Sequence, residues 1–312
     1  KDKHMENRYR ILVEGALSGF AHVANHKSQQ WFNAHFPAAV LAGVSILTEF
    51  TDLTDDCSAG IERSIHHVID THQEFFACSL FDDDQFETIA PDVACSRLEQ
   101  ALLDNARCLT SSGHGVIFGT LGIKFILALG KPVPSNIIEA LETIIAWTEE
   151  DNPKRYYGVA DYKAQAVALG EVGSVHDVDA AIDVILANQD CVFPDQSIAG
   201  EHYFFTGDKL HELTHAQALH WLNQLGYTQL ASAGLENLKQ QLVLNRQAPD
   251  KGECHRLQVY LDPFMQAFWT RPISDPHHIK LAGAVMEFSR RRNPRQAAGF
   301  LKDVAVYWEL LP

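Results

Sequence analysis

Apolar residues along the chain recur three and four apart rather than two apart. Ile11, Ala16, Leu17, Phe20, Val23 and Trp31 form one such stripe, and Leu98, Ala101, Leu102 and Leu109 form another; residues at this spacing share one face of an α-helix. No run of alternating apolar and polar residues lies between turn signals, which is what a half-buried strand requires. Pro and Gly punctuate the pattern. Gly130-Lys131-Pro132-Val133-Pro134 stops a helix over Val116–Leu129, Pro134-Ser135 opens the next, and Asp151-Asn152-Pro153 ends that one near Glu150. Further breaks fall at Phe193-Pro194-Asp195, Pro249-Asp250-Lys251-Gly252, Arg271-Pro272 and Asn293-Pro294, and Pro276 opens a last long helix. The pattern predicts an all-α protein, a single compact domain of about a dozen helices. Lys1–His4 reads as a cloning remnant, with the natural start expected at Met5 and the helical domain over residues 5–312.

Composition narrows the function classes. The 312 residues carry a formal net charge of −15 and no Lys/Arg block, which argues against binding nucleic acid through its phosphates. The longest apolar stretches, such as Gly115–Leu129, are interrupted by Lys124 and fall short of the roughly 20 residues of a bilayer span, so no membrane role is expected. Six scattered cysteines without a CxxC pair, and no signal core after Met5, point to the cytoplasm. Histidine is the unusual count, at 16, and imidazole is the commonest metal ligand.

The histidines sit in distinct local settings. His211-Glu212-Leu213-Thr214-His215 is an HExxH, a pattern that puts two imidazoles on one helical face with a glutamate to activate a metal-bound water, as in zinc hydrolases. Chance alone gives such a match about 0.05 times in a chain of this composition. The longer HExxHxxGxxH form fails, because Ala218 and Trp221 stand where it needs Gly and His; Glu236 is the remaining candidate third ligand. His22 and His26 are four apart near the N-terminus, His114 precedes an apolar run, and His277, His278 and Lys280 open the last long helix. Helical bundles build metal sites from inward-facing side chains of separate helices. A satisfied core histidine or a helix cap is the alternative for each, and a non-catalytic helical ligand-binding protein is the corresponding alternative for the whole.

Gly113-His114-Gly115-Val116-Ile117, the stretch from Phe205-Thr206 through His211 and Thr214 to Ala218-Leu219, and Asp275-x-His277-x-Ile279-Lys280-Leu281 occur in that order after Asn25-His26. This ordered set, spread over nearly the whole chain, resembles the questin oxidase-like family, whose fungal members oxidise polyketide anthraquinones, including ring-opening oxidations of the Baeyer–Villiger type. The resemblance implies an oxidoreductase with a mononuclear non-haem iron site at His26, His114, His211 and His277, with Lys280 after the last of them. A neutral buried lysine can add CO₂ and present a carboxylate, a hard donor suited to iron; a lysine at the surface or paired with a carboxylate is the alternative. His22, His215, Glu212 and His278 are supporting residues or alternative ligands. The expected cofactor is Fe(II), with zinc as the alternative, and the expected partners are O₂ and a small aromatic substrate. The chain is shorter than the fungal enzymes, and Glu149–Tyr162 is polar and individual. No Gly-x-Gly-x-x-Gly follows a strand pattern, so a requirement for NADPH would leave no mark in the sequence.

Overall fold

In the computed structural model the predicted periodicity becomes ten α-helices among the described residues, which are 5–82, 85–156, 159–164, 175–187, 196–198, 201–203, 205–245, 262–270 and 275–291. The all-α reading holds. Residue contacts within the chain group into two compact units. The first comprises residues 1–103, 118–148 and 263–283, and the second 104–117, 149–262 and 284–312. Helices α4 (Pro91–Arg107), α5 (His114–Leu129) and α10 (Pro276–Arg290) contribute residues to both.

The first unit is organised around α2 (His35–Glu49), in which every residue from His35 to Leu47 is buried. Such a helix, apolar all round, belongs at the centre of a layered helical core. It packs against α1 (Asn7–Asn25) and α3 (Asp55–Thr71), and α1 also packs against α6 (Ser135–Trp147). Helix α3 starts where Thr54 accepts a hydrogen bond from the Cys57 amide at 3.3 Å, with Asp55 and Asp56 in its first turn. Both devices satisfy or complement the exposed amides of a helix N-terminus. Trp31 does not continue the α1 stripe as expected. The helix ends at Asn25, and Trp31 opens a separate 3-10 turn, Trp31–Ala34, after Gln29 adopts a left-handed φ of 47°. Likewise α6 ends at Trp147 rather than near Glu150.

The second unit contains α7 (Val178–Ala187), α8 (Phe205–Gln224) and α9 (Thr228–Leu244), with α8 packed on both α7 and α9. A three-residue connection joins α8 to α9. The Tyr227 amide donates to the Leu222 carbonyl at 2.8 Å and the Gly226 amide to Asn223 at 3.2 Å. This double bond pattern closes a helix with a left-handed residue, and Gly226, at φ 93°, takes that place without steric cost. Two short antiparallel ladders also occur, β1 (Thr88–Ile89) with β2 (Val133–Pro134) and β3 (Gln196–Ile198) with β4 (Glu201–Tyr203). At two or three residues each they are too short to show a period in the sequence. Two helical segments, Trp31–Glu49 and Ser111–Leu129, are 19 residues long and apolar enough to cross a membrane by length and composition, although most of each is buried in the protein. The second contains the apolar run judged too short from sequence; the added turn residues lengthen it. The breaks expected at 193–195, 249–252, 271–272 and 293–294, and the presumed remnant at 1–4, lie outside the described residues.

Candidate metal centre

His35 is the first residue of α2 and has no exposed surface. Its Nδ1–H donates to the Phe32 carbonyl, three residues back, at 2.8 Å. That bond sets the tautomer and leaves Nε2 with its lone pair. Phe32 stacks on the ring at 4.6 Å and Phe118 meets it edge-on at 5.3 Å.

His277 lies 4.5 Å from His35, ring to ring. It is the second residue of α10, which Pro276 opens as the sequence predicts. Asp275 caps this helix, accepting from the His277 amide at 2.8 Å and from its Nδ1–H at 2.7 Å. Burial raises the Asp275 carboxyl, but the hydrogen bond and charge of His277 outweigh it and hold the group down to about 2. Burial lowers His277, the Lys280 charge lowers it further, and Asp275 opposes both. Lys280 follows one turn later, 4% exposed, with Nζ 5.7 Å from the Phe118 ring centroid and no hydrogen-bond partner among the described residues. Burial pushes it down to about 7, against the pull of Asp275.

His114 opens α5, and its Nδ1–H donates to the Ser111 carbonyl, again three residues back. The preceding turn is unusual: Ser111, Ser112 and Gly113 have φ of 42°, 54° and 83°. Left-handed backbone costs an L-residue about 1–2 kcal/mol, so two consecutive serines there must be held by their surroundings. His211 comes from within α8, its ring 4.1 Å from that of His114. The ligand atoms of His35, His114, His211 and His277 all lie within 4.8 Å of one another. Nitrogens on opposite sides of a metal bound at 2.0–2.1 Å are about 4.2 Å apart, so the most widely spaced of these imidazoles would draw in by a few tenths of an ångström to share one transition-metal ion.

Three of the four histidines expected as ligands, His114, His211 and His277, are thus brought together. His26 is not among them. It caps the end of α1 half-buried, bonded through Nδ1 to the Ser28 hydroxyl at 2.8 Å and set edge-on to Phe75. His22 contacts the Cys78 carbonyl at 3.0 Å. His35 takes the fourth place, and its sequence signal was the one that drew attention to His114, an imidazole immediately before a long apolar run.

The HExxH residues separate by partner. His215 is fully buried one turn beyond His211, but its Nδ1–H donates to Gln241 Oε1 at 3.0 Å, and burial pushes its pKa down to about 4. Glu212 is buried and accepts from Asn245 Nδ2 at 2.6 Å. Glu236, the candidate third zinc ligand, is exposed and paired with Lys239. His278 is buried, its amide donating to the Asp275 carbonyl. Neither Glu212, His215 nor His278 belongs to the four-histidine group. Comparison with family models, curated proteins and solved structures finds no match for the chain.

Proposed function

We propose that this chain is a metal-dependent oxidoreductase that holds one ion on His35, His114, His211 and His277 and uses O₂ to oxidise a small aromatic, polyketide-like molecule. The convergence of four imidazole ligand atoms within 4.8 Å carries the reading. Imidazole accepts iron, zinc, copper and nickel alike; the ordered motifs that resemble the questin oxidase-like family favour Fe(II). Bound there, iron would supply the one-electron chemistry that O₂ activation needs.

The chain's own groups prepare the site. The carbonyls of Phe32 and Ser111 and the Asp275 carboxylate each take an Nδ1–H, which fixes the ring orientations, and the carboxylate also raises the basicity of His277. Phe118 and Phe32 exclude water from the His35 ring. Phe32, 48% exposed beside the histidines, is an aromatic surface on which a planar substrate would stack. Lys280, buried and without a hydrogen-bond partner among the described residues, is the amine to which CO₂ would add: a nitrogen–carbon bond forms, one proton leaves, and a carboxylate oxygen would become available to an ion. Four imidazoles and a carbamate would give an ion five donors, so one that accepts six would keep a place for O₂ or substrate. A reducing cytoplasm suits cysteines scattered without a CxxC pair.

Elemental analysis of tag-free protein grown with added iron tests this. About one iron per chain, lost in both His35→Ala and His211→Ala, is expected, together with O₂ uptake on addition of a hydroxylated anthraquinone. A wild-type protein without stoichiometric metal would overturn the reading. Zinc that survives His35→Ala but is lost in His215→Ala would move the chemistry to the HExxH.

A further inference from the structure

The turn before His114 is gripped from several directions. The Ser111 amide donates to Asp151 Oδ2 at 3.1 Å and to the Tyr162 hydroxyl at 3.2 Å, and that hydroxyl donates to the same carboxylate oxygen at 2.6 Å. Arg155 clamps Asp151 through Nε at 2.6 Å and through a second guanidinium nitrogen at 2.8 Å. Gln241, from α9, donates through Nε2 to the Ser112 carbonyl at 3.4 Å. Its Oε1 accepts from His215 of α8, which fixes which way the amide faces. The His215 ring in turn lies against Gly113, where an added Cβ would meet Nδ1 at 2.6 Å.

We propose that Asp151, Tyr162 and Gln241 are positioning residues for His114: together they hold Ser111–Gly113 in its left-handed course so that the Ser111 carbonyl captures His114 Nδ1–H and Nε2 faces the metal. This rests on the reading of His114 as a ligand. A buried carboxylate with its own arginine is an expensive device for anchoring a three-residue turn, and the groups come from α8, α9 and the segment after α6. Of the turn's carbonyls, that of Ser112 accepts from Gln241 and that of Ser111 accepts from His114. Partners that orient a ligating imidazole are worth about 10–100-fold in metal affinity when removed.

The test uses the full chain, Co(II) as the probe, and ¹⁵N NMR of the histidine rings in metal-free protein. Wild-type His114 is expected as the Nδ1–H tautomer. In Asp151→Asn and in Tyr162→Phe, with helix content retained by circular dichroism, that signal should shift toward a tautomer mixture and Co(II) should bind about 10–100-fold more weakly. Gln241→Met, which keeps the side-chain length, should act in the same direction. Should Asp151→Asn fail to fold, Tyr162→Phe, which keeps the ring and loses one hydroxyl, decides the matter. Unchanged tautomer and unchanged Co(II) affinity in folded variants would overturn the proposal, leaving the network a structural clamp. A wild-type protein with the expected tautomer that binds no Co(II) would instead overturn the metal reading and leave the positioning role standing.

Discussion

Gly113→Ala strikes the point where α8 meets the turn before His114, and its cost can be worked from two independent sources. At φ 83° an alanine pays for a left-handed backbone, about 1–2 kcal/mol. Its Cβ would also lie 2.6, 2.7 and 2.9 Å from Nδ1, Cγ and Cε1 of His215, where non-bonded carbons prefer about 3.5–4.0 Å. The ring would have to retreat by about 1 Å, yet it is fully buried and tied to Gln241. Forcing a group into a filled core typically costs about 1–3 kcal/mol. The total is about 2–5 kcal/mol, measured as the loss of unfolding free energy in urea with metal absent. Repeating the substitution in a His215→Ala background separates the sources. The backbone part should persist while the steric part vanishes, giving a coupling of about 1–3 kcal/mol. The difference between backgrounds is the quantity read, so it does not depend on the absolute stability of a chain with two units. A cost below about 1 kcal/mol, or an equal cost in both backgrounds, would refute the claim that His215 and the turn are packed as one piece.

Three further outcomes follow. His26→Ala should leave metal content unchanged by elemental analysis, whereas His35→Ala should abolish it; the opposite pattern would restore the site expected from the motifs. Because burial holds His215 near 4 in the fold against an ordinary 6.5, the unfolded chain binds more protons between these values, so stability is fully present above 6.5 and is lost as pH falls toward 4. The slope reaches about 1.4 kcal/mol per pH unit, and thermal unfolding of His215→Leu between pH 7.5 and 4.5 should lack that part of it. Lys280→Met keeps an apolar stem and removes the amine, so metal-free stability should hold or rise while the mass of one CO₂, seen by native mass spectrometry of wild type in bicarbonate, disappears; no adduct on metal-loaded wild type would remove Lys280 from the ligand set.

The helical class was readable because helices of 10–20 residues give several turns over which the apolar stripe can repeat. Boundaries were less readable where no Gly or Pro marks them. The α1 stripe continued in sequence to Trp31 although Gln29 turns the chain by adopting positive φ, a conformation that glutamine does not advertise. His114 and His277 were found because each stands in a local pattern, Gly-His-Gly before an apolar run and Asp-Pro-His at a helix start. His35 stands in an equivalent one, yet the apolar stripe of the preceding helix reads on to Trp31, four residues before it. The HExxH shows the limit of spacing as evidence. His211 and His215 share a side of α8 and are both buried, but which neighbour each meets depends on α9 and on the turn at 111–113, and neither is encoded within the motif.

Three of the four clustered histidines, His35, His114 and His277, sit in the first turn of a helix, and electrostatics gives that placement a purpose. The positive end of the helix dipole disfavours imidazolium and so keeps a ring neutral with its lone pair available. The same field opposes a divalent cation nearby, and the acceptors preceding each helix, two carbonyls and the Asp275 carboxylate, offset it. Four neutral imidazoles would bring no charge to balance a bound ion, and Asp275 would supply one negative unit from behind His277. A protonated Lys280 would add a positive charge to a buried, dipole-opposed site and raise a desolvation cost that is already several kcal/mol per ion. The neutral amine removes that penalty, and the carbamate turns it into attraction, since with Asp275 its charge would match that of a divalent ion. On the proposed reading Lys280 is therefore buried where its protonated form is least tolerable, and loading of the site should rise with dissolved CO₂ at fixed pH in wild type but not in Lys280→Met.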